Sequence, residues 1–255
     1  MLYYNFEDLD LKSREGRSVG QKSGQLYIVS TPIGNLEDIT LRALRVLKEV
    51  DIIAAEDTRR TRQLLAHYQI KGPRVTSYHD HNKERKTPLL IRQMLSGQSV
   101  AVVSDAGTPG ISDPAYFLVK HTLENQILAV PIPGVSAPMA ALVVSGLPTD
   151  RFVFEGFLPA RKSRRRKRLQ ELNQENRTVL LFESPHRILQ LLTDAYQILG
   201  DREVCLCREL TKRFEETLRG KLSQIIEHFK DKKPRGEFVL VVRGVEKIDR
   251  TDPVE

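Results

Sequence analysis

The sequence predicts an α/β protein of two domains, each with helices packed on a mostly parallel sheet. Three observations point there. From Leu26 onward, short apolar runs alternate with amphipathic stretches at helical spacing. The alternation is interrupted at Gly146-Leu147-Pro148-Thr149 and then resumes. The 255 residues are 40% hydrophobic and 29% charged, a balance for one large soluble domain or two modest ones.

The elements follow in order. Residues 26–30 read as a buried strand, and Leu41, Leu44 and Leu47 recur as one face of a helix. A second strand is expected over 51–55 and a helix over 59–67. The small β-branched run 100–103 is a strand, followed by a helix over 114–123, a strand over 127–130 and an apolar helix over 136–145. Beyond the break come a strand at 152–155, a basic helix at 162–175 and a strand at 179–182. Ile188, Leu191, Leu192, Ala195 and Leu199 form one helix face, and strands at 204–208 and 238–242 close the series. The expected divisions are a polar tail at 1–23, domains at 24–148 and 149–244, and a tail at 245–255.

Composition excludes several classes. The longest nearly apolar run, 137–147, is too short to span a bilayer, and no basic start followed by an apolar stretch marks a secretory signal. A cytoplasmic protein without a membrane is expected. Cys205 and Cys207 fall on one face of a strand, where a disulfide would be strained, so they read as reduced, half-buried thiols. Forty basic residues against thirty-three acidic ones give a net charge of +7, which suits a polyanionic partner.

In open α/β sheets, ligands sit beyond the carboxyl ends of the strands. The first strand ends in Ser30-Thr31-Pro32-Ile33-Gly34-Asn35, which is neither a dinucleotide fingerprint nor a P-loop. The fourth runs into Ser104-Asp105-Ala106-Gly107-Thr108-Pro109-Gly110-Ile111-Ser112-Asp113-Pro114, a rigid loop of bare backbone suited to reading a ligand edge. There Asp113 suits a helix cap and Asp105 a functional role. Glu56-Asp57-Thr58-Arg59-Arg60 follows the second strand; Asp57 or Thr58 either caps the next helix or stands near a general base and a phosphate contact. His79-Asp80-His81 lacks a third metal ligand nearby, so no metal is expected there. Residues 161–168 carry seven cations in eight: Arg161, Lys162, Arg164, Arg165, Arg166, Lys167 and Arg168. Together with Arg59 and Arg60 they are the candidate RNA contacts. Seven phosphates met by this run would give a log–log salt slope of roughly −5.

Eight segments then occur in order: TPIGNLEDITLRA, AEDTRRT, SDAGTPGISDP, IPGVSA, FEGFLPA, FESPHRI, RELTKRFEE and PRGEFVLVV. Together they resemble the tetrapyrrole methylase superfamily (class III S-adenosylmethionine methyltransferases) and, within it, the bacterial small-subunit ribosomal RNA ribose 2′-O-methyltransferases. The resemblance runs from Leu26 to Val242. It implies a homodimer of two-domain chains with S-adenosylmethionine in the cleft between domains. The substrate would be a cytidine of the decoding region, as small-subunit RNA or the 30S subunit. The cofactor positions it implies are Ile33, Gly34, Asp105, Ala106, Gly107, Ser136, Ala137, Glu183, Leu210 and Gly236, with Glu237 beside the last. Gly110 stands where a larger apolar residue is usual, and Ala115 where glycine is usual.

The implied reaction is displacement at the sulfonium methyl by a ribose hydroxyl, which needs no metal. A positioned base contributes roughly 10²–10⁴-fold. Glu56, Asp57 and Glu183 are the expected candidates, with His79 behind them. Two rivals remain open at this point: a tetrapyrrole C-methylase on the same fold, and a ribosome-associated RNA-binding protein without catalysis.

Overall fold

The structure, a computed structural model, describes residues 24–245. The expected tails lie outside the described residues, apart from Val245. The described residues hold ten strands, eight α-helices and one 3₁₀ helix, and the strands form two five-stranded sheets.

The first sheet contains β1 (Leu26–Val29), β2 (Ile52–Ala55), β3 (Arg74–Ser77), β4 (Val100–Val103) and β5 (Ala129–Ile132), all parallel, in the order β3-β2-β4-β1-β5. Strands β2 and β4, sequences IIAA and VAVV, are buried at every position. Such unbroken apolar runs belong to a sheet covered on both faces. Helices α1 (Leu41–Glu49) and α2 (Thr58–His67) cover one face through Ala43, Val46, Leu47 and Leu65. Helices α3 (Lys83–Leu95) and α4 (Ala115–Glu124) cover the other through Leu90, Ile91, Met94 and Leu118. A short 3₁₀ turn, Leu36–Asp38, leads into α1, whose cap Thr40 accepts the Ala43 amide at 3.1 Å.

The second sheet holds β6 (Phe152–Phe157), β7 (Thr178–Glu183), β8 (Glu203–Arg208), β9 (Glu216–Lys221) and β10 (Phe238–Val242), ordered β6-β7-β10-β8-β9. This sheet is mixed, where the sequence pattern suggested mostly parallel pairing. Only β6 and β7 run parallel; β10 is antiparallel to β7 and β8, and β8 to β9. The reason is β9, whose sequence ETLRGK carries no apolar run. It pairs back on β8 across residues 209–215 without a crossover helix, and consecutive strands joined so are antiparallel.

Helices α6 (Lys162–Leu172), α7 (Ile188–Leu199) and α8 (Leu222–His228) bury one face of this sheet. The other face receives α5 (Ala137–Val144), with Ala141 and Leu142 against Leu180, Cys205, Val239 and Val241. Although α5 precedes the break at Pro148, it packs on the second sheet. Cys205 and Cys207 share that covered face, so both are wholly buried rather than half-buried. Their sulfurs lie 3.7 Å apart, in hydrogen-bond contact and not joined as a disulfide.

Candidate functional site

The parallel first sheet brings the ends of β1, β2 and β4 side by side. Thr31, after β1, and Gly107, after β4, exchange backbone hydrogen bonds of 2.9 Å each. The β4 loop is stitched to its neighbours by its own polar groups. The Thr108 hydroxyl donates to the Val135 carbonyl at 3.0 Å and accepts from the Ser30 hydroxyl at 3.1 Å. The Asp105 amide donates to Glu56 Oε2 at 3.1 Å, and Asp105 Oδ1 accepts the Asp57 amide at 2.9 Å. Arg60 stands 3.4 Å from Asp105 Oδ2. Asp113 accepts the amides of Gly110 and Ala115, so it is a structural clamp at the start of α4. Helix α4 begins one residue later than expected, with Pro114 at the cap position. Gly110 has φ +91°, a conformation that disfavours the larger residue usual there, and neighbouring Ile111 supplies an apolar wall instead.

The second sheet contributes the facing wall. The loop after β8 lies against the turn after β1: the Asn35 amide donates to Thr211 Oγ1 at 3.1 Å, and a Cβ at Gly34 would collide with the Lys212 side chain. Only glycine permits that approach. Lys212 is held between Glu209, at 2.9 Å, and Glu237, at 3.0 Å. At the end of β7, Glu183 is 2% exposed; its Oε1 accepts from the Ser184 amide at 2.7 Å and from Arg187 at 2.8 Å. Its Oε2 is buried with no hydrogen-bond partner.

Between the two walls lies a cavity of about 540 Å³. Of the expected cofactor positions, Ile33, Asp105, Ala106, Gly107, Ser136, Ala137, Glu183 and Leu210 line it. Gly34 borders instead an adjoining cavity of about 250 Å³. Gly236 lines neither; it packs against the Glu209 side chain. Sequence reasoning missed Phe157, Phe182, Ser184, Cys207, Lys212 and Phe238 as lining residues. Most sit inside the recognised segments FEGFLPA, FESPHRI, RELTKRFEE and PRGEFVLVV, next to positions that were singled out.

The four candidate bases separate. Glu56 lines the cavity, and burial raises its carboxyl above the ordinary range, against the lowering effect of the Asp105 amide. Asp57 is the cap of α2, paired with Arg59 at 2.7 Å, and its hydrogen bonds to that guanidinium and amide hold its carboxyl far below the usual range. A carboxylate so stabilised is a poor base, which corrects the expectation for Asp57. His79 lines neither cavity; its Nε2 lies 3.1 Å from the Asn82 side-chain nitrogen. Glu183 lines the cavity as described.

The basic run also divides. Arg165, 2% exposed, is locked to buried Asp194 at 2.8 Å, so it is not an RNA contact. Its charge belongs to the core of the second domain. Arg166 pairs with the same Asp194 at 2.7 Å, and Arg168 with Glu155 at 2.7 Å and Glu171 at 2.6 Å. Arg161, Lys162, Arg164 and Lys167 are exposed, with no acidic partner among the described residues. Arg59 and Arg60 are exposed, and Arg60 lines both cavities.

Among the described residues no helix is long and apolar enough to cross a membrane, and no three His, Cys, Asp or Glu side chains gather as a metal site.

The family model described as Tetrapyrrole (Corrin/Porphyrin) Methylases matches residues 25–226. A Halalkalibacterium halodurans protein named Ribosomal RNA small subunit methyltransferase I is 48% identical over 234 residues, covering 92% of this chain and 81% of that one. A Thermotoga maritima protein of the same name is 51% identical over 223 residues, covering 88% of this chain and all of that one. Among solved structures, Thermus thermophilus uroporphyrin-III C-methyl transferase complexed with S-adenyl homocysteine aligns with a TM-score of 0.59 at 22% identity, over 86% of this chain and 97% of that one.

Proposed function

The chain belongs to the tetrapyrrole methylase family, and from that membership we propose that it transfers a methyl group from S-adenosylmethionine to a cytidine ribose 2′-hydroxyl in the decoding region of small-subunit ribosomal RNA. The observation that carries the reading is identity near one half, over nearly the whole chain, to proteins named for methylating that RNA. The likeness to a uroporphyrin methylase is a likeness of fold. Four exposed cations on the rim of α6 favour a polyanion over a tetrapyrrole, and an intact cavity favours catalysis over binding alone.

The residues present fit the cofactor. Ala106, Gly107 and Ala137 offer bare backbone on one wall, while Phe157, Phe182 and Ile111 offer apolar surface. The unpaired buried Oε2 of Glu183 is an acceptor awaiting a donor, which an adenosine ribose hydroxyl or an ammonium supplies. Arg187 and the Ser184 amide fix the other oxygen and so aim it. When bound, S-adenosylmethionine supplies a methyl already activated by its positive sulfur. Glu56, at the cavity, would take the proton of the incoming ribose hydroxyl, leaving the oxygen free to accept the methyl that the cofactor would supply. Its raised carboxyl pKa makes it the stronger base of the Glu56–Asp57 pair. Arg60 and the exposed cations of α6 hold the RNA backbone.

The reading includes a cytoplasmic enzyme that meets ribosomal RNA there, and a homodimer. The deciding experiment offers methyl-labelled S-adenosylmethionine with 30S subunits, with free small-subunit RNA and with a tetrapyrrole. Label on ribosomal RNA is expected. Label on the tetrapyrrole, or on none of the three, overturns the reading.

A further inference from the structure

The smaller cavity of about 250 Å³ adjoins the main cavity, and most of its lining, Pro32, Leu36, Gln63 and Leu64 included, is not shared with it. It shares Arg60, Ser104 and Asp105 with the main cavity, so the Arg60–Asp105 ion pair stands at the junction of the two. Resting on the methyltransferase reading, we propose that this cavity seats the acceptor nucleotide, an unstacked pyrimidine whose ribose reaches the junction.

Three features support that occupant. The first is position. Glu56 Oε2 accepts the Asp105 amide at 3.1 Å, which places the base on the main-cavity side of the same junction. A hydroxyl delivered between Arg60 and Asp105 therefore arrives beside the group that takes its proton. The second is the wall chemistry. Pro32 and Leu36, from the turn after β1, line the cavity with Leu64 of α2, and apolar side chains can hold a base removed from its stack. Tyr68 keeps the Leu36 wall in place by donating its hydroxyl to the Leu36 carbonyl at 2.5 Å.

The third feature is Gln63. It is exposed, lines the cavity, and its side-chain amide makes no hydrogen bond to the described residues. A side-chain amide sets one donor beside one acceptor. A pyrimidine edge does the same: cytosine presents its N4 donor next to its N3 acceptor. Exposed Arg60 then stands where the nucleotide's phosphate leaves the cavity, and a guanidinium suits that group. The geometry makes Gln63 a positioning residue for the base, with no stake in the cofactor.

Two variants test this against 30S subunits. Gln63→Ala is expected to raise KM for the RNA substrate about tenfold, with kcat and calorimetric uptake of S-adenosylmethionine near wild type. Leu36→Trp, which fills the cavity from its rim, is expected to abolish methylation while leaving cofactor uptake and Tm unchanged. Wild-type kcat/KM in both variants overturns the acceptor site while the methyltransferase reading stands. Loss of cofactor uptake in either variant also overturns it, because the cavity then serves the cofactor. A wild-type chain that methylates no ribosomal RNA overturns both.

Discussion

Glu56 and Asp57 are neighbours in the chain, yet their carboxyls are pushed in opposite directions. Glu56 is half-buried at the cavity, so its ionised form is disfavoured; Asp57 is fixed as an anion by Arg59 and by its capping bond. The sequence could not separate them, because burial depends on which strand ends meet. Glu56→Gln should lower the single-turnover rate by about 10²–10⁴-fold with cofactor uptake retained, whereas Asp57→Asn should act through stability alone. The acid limb of kcat should fall as pH drops through a pKa above the ordinary glutamate range, and should vanish in Glu56→Gln. The same raised pKa carries a stability consequence. Protonated Glu56 favours the fold at low pH, and that contribution is lost as pH rises through its folded pKa. Denaturant titrations should therefore find Glu56→Gln more stable relative to wild type at pH 7 than at pH 4. Glu183→Gln should weaken S-adenosylmethionine uptake in calorimetry; unchanged affinity would remove Glu183 from the cofactor site.

At the scale of elements, α6 shows how a charge run misleads. Seven cations in eight residues look alike in the sequence, but the helix turns some toward the second sheet. Arg165 meets Asp194 in the core, and Arg168 folds onto Glu155. With four cations free for phosphates, the run's share of the salt slope falls from roughly −5 to roughly −3. Replacing Lys162, Arg164 and Lys167 by alanine should flatten the measured slope by roughly 2, while Arg165→Ala should unfold the domain before it affects the slope. Asp194→Asn leaves a buried guanidinium underpaired and should cost about 3–5 kcal/mol in urea unfolding. The elements that the sequence hid are hidden for physical reasons. Strands β3 and β9 lie at sheet edges, where half-exposed residues replace apolar runs. Helix α3 carries Pro88 in its interior and opens on charged residues, and α8 is only seven residues long.

For the whole molecule, what the sequence made legible was the set of strand-end loops, because ligand contact there demands small residues and bare backbone. Asp105 and Gly107, read from their loop, line the cavity, as do Ile33 and Ala137, which the family resemblance implied. The opposing wall was less legible. Phe182 and Phe238 read as ordinary strand residues until the second sheet is turned, through α5 and the Thr211–Lys212 loop, to face the first. Gly236, placed by the family resemblance, packs closely against the Glu209 side chain and lines neither cavity. The molecule carries a cavity between its two sheets, a smaller cavity adjoining it, and a cationic helix on its surface. Alkaline hydrolysis of 30S RNA labelled by this enzyme tests that arrangement most directly, since a 2′-O-methyl blocks cleavage at the adjoining phosphodiester. The account predicts that all label is recovered in one alkali-resistant dinucleotide containing a methylated cytidine. Label recovered in mononucleotides, as base methylation would leave it, would contradict the account.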